Sequence, residues 1–289
     1  MAVHRYFEGW YFKQQGKDGT VALIPALHID VKGQKSASIQ IVTDGDSFHF
    51  DLPWEALKAD RQKLRITAGD CVFSSSGMHL NLMQDGISAV GDIVFGSFSA
   101  MKSDIMGPFR FAPLMECRHS VFSMVHEVSG DLSIHGKKYT FQNDLGYIEG
   151  DRGRSFPKQY VWTQCAWRMD KPCSLMISVA DIPYMGMSFT GVIAFAYVNG
   201  REYRLATYHG ARAVYVKNGE VLIKQGKYTL SARRLDSGGM LLRAPVGGGM
   251  TRMIREAPSC RVHYRFMYGN ETLIDQVMDQ AGFEYEYEQ

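Results

Sequence analysis

Apolar and polar side chains alternate with a period of two from one end of the chain to the other. The pattern is plain in SASIQIVT (36–43), MHLNLMQ (78–84), EYRLATY (202–208) and CRVHYRFMY (260–268). Successive strand side chains point to opposite faces, so this alternation predicts strands with one face buried. The connections TDGDS, QDGIS, VNGRE and KNGEV put Asp-Gly or Asn-Gly pairs where a tight hairpin needs positive φ, and neighbouring strands are therefore expected to be antiparallel. Two stretches read as short helices: LPWEALKADRQ (52–62), with Asp51 as cap and Pro53 in the first turn, and GMTRMIREA (249–257). The expected class is all-β with few short helices. Edges must be hidden, so the strands should close into barrels or stack as a sandwich.

With 289 residues, 45% of them hydrophobic, the chain can fill one large domain or two of about 140 residues. A division into residues 1–142 and 143–289 is expected, because GDLSIHGKKYTFQNDLG ends one run of strands and FPKQYVWTQCAW begins another. Each half opens on an aromatic strand, YFEGWYFKQ and QYVWTQCAW, a faint internal echo.

Charge narrows the partners. The 32 basic and 30 acidic residues are spread evenly, leaving no electrostatic footprint for nucleic acid or an anionic membrane. Five scattered cysteines without a Cys-x-x-Cys pair read as buried thiols in a reducing compartment. No targeting segment precedes the first aromatic strand, which points to the cytoplasm. MISVADIPYMGMSFTGVIAFAYV (176–198) is long and apolar enough to span a bilayer, but Asp181, Pro183, Gly186 and Gly191 interrupt it, so it reads as two buried strands and a turn rather than an integral membrane segment. Composition leaves the oligomeric state open.

Familiar catalytic signatures are missing: no dinucleotide or phosphate loop, no nucleophile elbow, no His-Glu-x-x-His. Gly247 to Gly249 reads as a flexible loop. Cys117 and His119 would share one strand face, a spacing a metal could use, but no second ligand pair accompanies them, and neither metal nor cofactor is implied. The densest charge lies in NDLGYIEGDRGRSFPKQYVWTQCAW (143–167), where Glu149, Asp151, Arg152 and Arg154 adjoin aromatic strands. A carboxylic acid held in an apolar cavity keeps its proton and can act as a general acid. Alternatively, the four charges pair with one another in a solvated turn.

At these residues the sequence resembles the tocopherol cyclase family, whose middle motif runs Tyr-x-Glu-Lys-Asn-Trp-Gly-x-x-Phe-Pro-x-x-Trp-x-Trp-x-Gln-Cys. Tyr147, Glu149, Gly153, Phe156, Pro157, Trp162, Gln164 and Cys165 stand in register with it, FEGWYFK (7–13) resembles the opening motif, and LRAP (242–245) followed by Cys260 resembles the C-terminal one. More distantly, Glu8, Trp10 and Tyr11, with Tyr147 and Glu149, resemble the carotenoid hydratase and AttH-like proteins. That resemblance implies two tandem lipocalin-like antiparallel β-barrels. It also implies protonation of an isoprenoid double bond, with the cation captured by an internal phenol or by water. The residues implied are Glu149 or Asp151 as acid, and Trp10, Tyr11, Tyr147, Tyr160, Trp162, Gln164 and Met185 as substrate-binding groups, with segment 176–198 as apolar lining. The expected ligand is a hydrophobic small molecule, isoprenoid or prenylquinol-like, to be cyclised, hydrated or isomerised. The alternative is a non-catalytic carrier of such a molecule. Gly150, Asp151 and Arg152 replace the family's Lys-Asn-Trp, so Arg152 is positioned in sequence to pair with Asp151 and spoil it as a donor.

Overall fold

The computed structural model describes residues 5–287 apart from Leu114. Its first half contains β1 (Tyr6–Gly16), β2 (Gly19–Ile29), β3 (Lys35–Thr43), β4 (Ser47–Leu52), β5 (Leu57–Asp60), β6 (Arg65–Ala68), β7 (Cys71–Ser74), β8 (Gly77–Gln84), β9 (Ile87–Phe95), β10 (Cys117–Ile134) and β11 (Lys137–Gly153). The second contains β12 (Tyr160–Arg168), β13 (Pro172–Tyr184), β14 (Met187–Val198), β15 (Arg201–Ala206), β16 (Arg212–Lys217), β17 (Glu220–Gln225), β18 (Tyr228–Arg234), β19 (Met240–Val246), β20 (Gly249–Tyr268) and β21 (Glu271–Tyr285). The chain is all-β, as the alternation predicts.

One path is traced twice. The first sheet has the order β4-β3-β2-β1-β11-β10-β9-β8-β7-β6-β5, and the second β15-β14-β13-β12-β21-β20-β18-β17-β16, with β19 added against β20. In each, a meander runs from the first strand out to one edge, a single 3-10 turn (Trp54–Ala56 or Thr207–His209) leads to the other edge, and the last strand returns to pair with the first. Each sheet curls around a core to which both flanks contribute: Phe50, Leu57 and Ile66 join Phe12 and Phe73 in one, Leu205, Ile223 and Phe266 in the other. The echo between the halves is thus a repeat of topology.

A third apolar cluster joins the sheets. Tyr11, Val42, Met124, Tyr147, Tyr160, Trp162, Met176, Phe195 and Ile254 turn away from their own cores and pack together between the sheets. Strands at this junction are buried on both faces, so burial along β1, β12 and much of β13 is nearly unbroken, polar residues such as Lys13, Gln14 and Gln164 included. Segment 176–198 is the end of β13, a turn and β14, and no helix among the described residues is long and apolar enough to cross a membrane.

Several expectations need correction. β11 stays in the first sheet as far as Gly153, paired with β1 and β10, so the chain changes sheets at residues 154–159, beyond the expected boundary at 142/143. Residues 249–257 begin β20 and are not helical: Met250, Ile254 and Glu256 turn toward the junction while Thr251, Met253 and Arg255 are exposed, a period of two. Residues 52–62 hold only the 3-10 turn before β5. Gly247 and Gly248, at φ 57° and 83°, make a tight turn between β19 and β20. A Cβ at Gly248 would lie 1.9 Å from the Ile29 carbonyl oxygen, so this turn is wedged against the first sheet. Three of the four hairpin signals adopt positive φ at both central residues, at Asp85-Gly86, Asn199-Gly200 and Asn218-Gly219; the fourth is closed by Thr43, whose N–H donates to the Asp46 carbonyl at 2.8 Å. All five cysteines are free thiols, and Cys117 alone is not fully buried.

Polar side chains latch the junction. Lys13 of β1 donates to Gln164 Oε1 at 3.1 Å and to the Gln280 carbonyl at 2.9 Å, Gln15 donates to the Ala166 carbonyl at 2.8 Å, and Gln280 donates back to the Gly16 carbonyl at 2.8 Å. Burial lowers the Lys13 pKa from 10.5 to about 8. Below pH 8 the folded protein holds a charge that the unfolded chain solvates better; between pH 8 and 10.5 the unfolded state binds more protons, so stability must rise with pH. The neighbouring thiols Cys165 and Cys260, pushed up by burial to about 12 and about 11, stay neutral through most of that window. Unfolding free energies of wild type minus Lys13→Met are therefore expected to rise by about 3 kcal/mol across it. A flat difference in denaturant titrations would refute the lowered pKa of Lys13 in the latch.

Candidate functional site

The site grows from the register of three adjacent strands. β11 pairs Glu149 with Tyr11 of β1 and Val121 of β10, and pairs Asp151 with Gly9 and His119. Alternation then puts Tyr147, Glu149 and Asp151 on one face, toward the second sheet, and Gly150 and Arg152 on the other. Arg152 therefore does not pair with Asp151; it lies near Tyr6, and Asp151 is engaged by His119 and Cys117. The charge cluster is split across the sheet rather than closed on itself in a turn.

Glu149 is 6% exposed. Its Oε2 accepts from the Tyr147 hydroxyl and from Trp162 Nε1–H at 3.2 Å, the indole arriving from the second sheet. His119 stands between the two acids: Nδ1 is 3.0 Å from Asp151 Oδ1, and Nε2 is 3.3 Å from Glu149 Oε2, within ion-pair range but off hydrogen-bond geometry. Burial works to lower the His119 pKa, but Asp151 and Glu149 together lift it well above the ordinary value, which favours the protonated ring. Cys117 completes the group, its thiol 3.5 Å from Asp151 Oδ1. Donor atoms of His119, Glu149 and Asp151 lie within 4.8 Å of one another, a span a metal ion could bridge.

These groups face a cavity of about 180 Å³ between the sheets, partly open to solvent. Aromatic rings make much of its wall. Tyr11 meets Trp162 edge to face at 5.5 Å, and Phe156 meets Tyr160 likewise at 6.1 Å. Ser178, Ala180, Ile182, Phe189, Gly191 and Ile193 supply the lining expected from segment 176–198. Burial and the neighbouring carboxylates raise the pKa values of Tyr11, Tyr147 and Tyr160, which keeps all three phenols neutral and able to donate.

Most of the residues singled out in the sequence converge here: Glu149, Asp151, Tyr11, Tyr160 and Trp162 line the cavity, and Tyr147 holds Glu149 from behind. Trp10 packs in the core of the first sheet and touches the cavity beside Gly9 and Gly150. Two do not belong. Gln164 is engaged by Lys13 in the latch, and Met185 occupies the β13–β14 turn, 73% exposed, because a positive φ of 50° places it at the hairpin tip. Tyr208 also serves structure, donating to the Ile105 carbonyl at 2.8 Å. Glu8 of the opening motif forms an ion pair with Arg61 and accepts from Tyr6.

The second sheet adds two acids that the motif reading missed. Glu256 and Glu284 are cross-strand partners on β20 and β21, Glu284 is also the partner of Trp162, and both carboxyls line the cavity. Glu256 carried a signal, a carboxylate on the face of Met250 and Ile254. Glu284 did not: in FEYEYE (283–288) it reads as the solvent face of an edge, and only the first sheet, packed over it, makes that face internal.

Fold and site together define a double-sheet protein with an acidic, aromatic chamber at the seam. Residues 88–285 match the tocopherol cyclase-like family, and the chain belongs to it. Solved structures share the architecture. Kievitone hydratase from Nectria haematococca superposes with a TM-score of 0.55 at 10% identity, over 98% of this chain and 89% of that one. CghA with Sch210972 gives 0.59 at 12%, over 97% and 87%. A putative AttH from Nitrosomonas europaea gives 0.60 at 11%, over 98% and 93%. At such identities the likeness is one of fold. Among curated protein sequences none matches the chain.

Proposed function

We propose that this protein is a tocopherol cyclase-like enzyme that protonates a double bond of a hydrophobic, isoprenoid or prenylquinol-like substrate and directs the cation to cyclisation, hydration or isomerisation. The observation that carries this reading is the Glu149 carboxyl on the wall of an aromatic cavity, with the His119 imidazole 3.3 Å from it, its pKa raised by the two acids. His119 supplies the proton and Glu149 delivers it. Donation converts the imidazolium to neutral imidazole, so no net charge is created in a site where water is scarce. The faces of Trp162, Tyr11 and Tyr160 are suited to stabilise the positive carbon that results. The relative named kievitone hydratase accords with a reaction of this type.

Cavity size bears on the substrate. An apolar cavity of about 150 Å³ holds one benzene, so the 180 Å³ here suits one ring or one short branched chain at the reacting end. A longer tail must lie along the opening.

The test is a panel of prenylated quinols of graded chain length, incubated with the protein in D₂O. Turnover is expected to give a product carrying one new carbon-bound deuterium, best with the shortest chains. Tight binding of the panel without product or deuterium would make the protein a carrier and overturn the enzymatic reading.

A further inference from the structure

On the wall contributed by the second sheet, Glu256 is fully buried and lines the cavity; among the described residues neither of its carboxylate oxygens has a hydrogen-bond partner in good geometry, the Tyr11 hydroxyl being the polar group beside it. A buried carboxylate without a partner is costly, and such a group is retained at functional sites or neutralised by a proton. Its cross-strand neighbour Glu284 accepts from the Tyr160 hydroxyl at 2.6 Å and lines the same cavity. Like charges on directly opposed strand positions disfavour double ionisation. The groups that influence Glu256 are Tyr11, Lys13, Glu149 and Glu284, and those around Glu284 are Tyr160, Glu256, Glu149 and Asp151.

From this geometry we infer that Glu256 and Glu284 share one proton and act as the general base of the site, facing the acid group of Glu149 and His119 across the substrate. The inference rests on the proposed reaction. Glu149 delivers the proton supplied by His119 to one alkene carbon, leaving the other cationic. A substrate hydroxyl, or a water in the hydration route, then forms the C–O bond, its O–H bond breaks, and that proton passes to the singly protonated pair. Each cycle leaves His119 one proton poorer and the pair one richer, and exchange with solvent at the opening restores both. Burial lifts Glu256 to about 7 and, with the Glu256 charge, lifts Glu284 well above the ordinary carboxylate range, which suits both to accept a proton from oxygen near neutral pH.

Two measurements test it. In ¹³C-glutamate NMR of the wild-type protein, a carboxyl titrating near pH 7 is expected, lost in Glu256→Gln and shifted down in Glu284→Gln as the opposing charge disappears. A wild-type spectrum with every glutamate titrating in the ordinary range overturns the pair without reference to any substrate. In D₂O, Glu256→Gln is expected to lower ring closure or hydration by about 10²-fold while deuterium still enters recovered alkene, because protonation continues and capture fails. If wild type turns over and Glu256→Gln matches its rate and products, the pair is not the base; if wild type produces nothing, the proposed reaction fails while the titration still decides the shared proton.

Discussion

Glu149→Gln is expected to lower turnover by about 10²–10⁴-fold while ligand affinity changes little. Glutamine has the shape of the acid, and its carbonyl oxygen can still accept from Tyr147 and Trp162, so the cavity wall is preserved. What is lost is a group that can carry a proton. A second consequence follows at His119, whose raised pKa depends on Asp151 first and Glu149 next: it must fall in the variant, and imidazole NMR reads this directly. Glu149→Gln with wild-type turnover would remove the carboxyl from the reaction. An unchanged His119 titration would show that the two groups do not communicate.

Trp162→Ala is expected to cost about 3–5 kcal/mol of stability. The indole is 5% exposed, packs edge-on to Tyr11, lies over Gly282 so closely that a Cβ there would come within 2.8 Å of the ring, and donates to Glu149. Truncation empties a volume at the seam and leaves Glu149 short of a donor. Trp162→Phe separates the two effects: it keeps most of the packing and removes the N–H, for a loss of about 1–2 kcal/mol. Urea unfolding of the three proteins measures the series, and a melting temperature unaltered in the alanine variant would contradict a buried structural role.

The β class, the hairpins and one wall of the chamber are legible in the sequence because they rest on local rules. Asn218-Gly219 makes its turn from local backbone preference, and the Tyr147 to Cys165 motif carries Glu149 and the rings of Tyr147, Tyr160 and Trp162 in linear order. What is not legible depends on packing between the sheets. Period two tells which residues of β21 share a face, but whether that face meets water is decided by β11, far away in the chain, and Glu284 carries no signal for that reason. Arg152 is misread by the opposite error, since closeness in sequence suggests a pair with Asp151 that the pleat forbids. Gln164 lies on the expected face but is taken by Lys13, and residues 249–257 follow strand pairing with β19 in spite of a locally helical composition.

Trp162 and Glu149 ride on different sheets, and only their meeting completes the acid's surroundings. On the proposed reaction, separation of the halves would take the indole off the carboxyl and let bulk water compete for the cation. The acid's surroundings are thus complete only while the two sheets stay packed together.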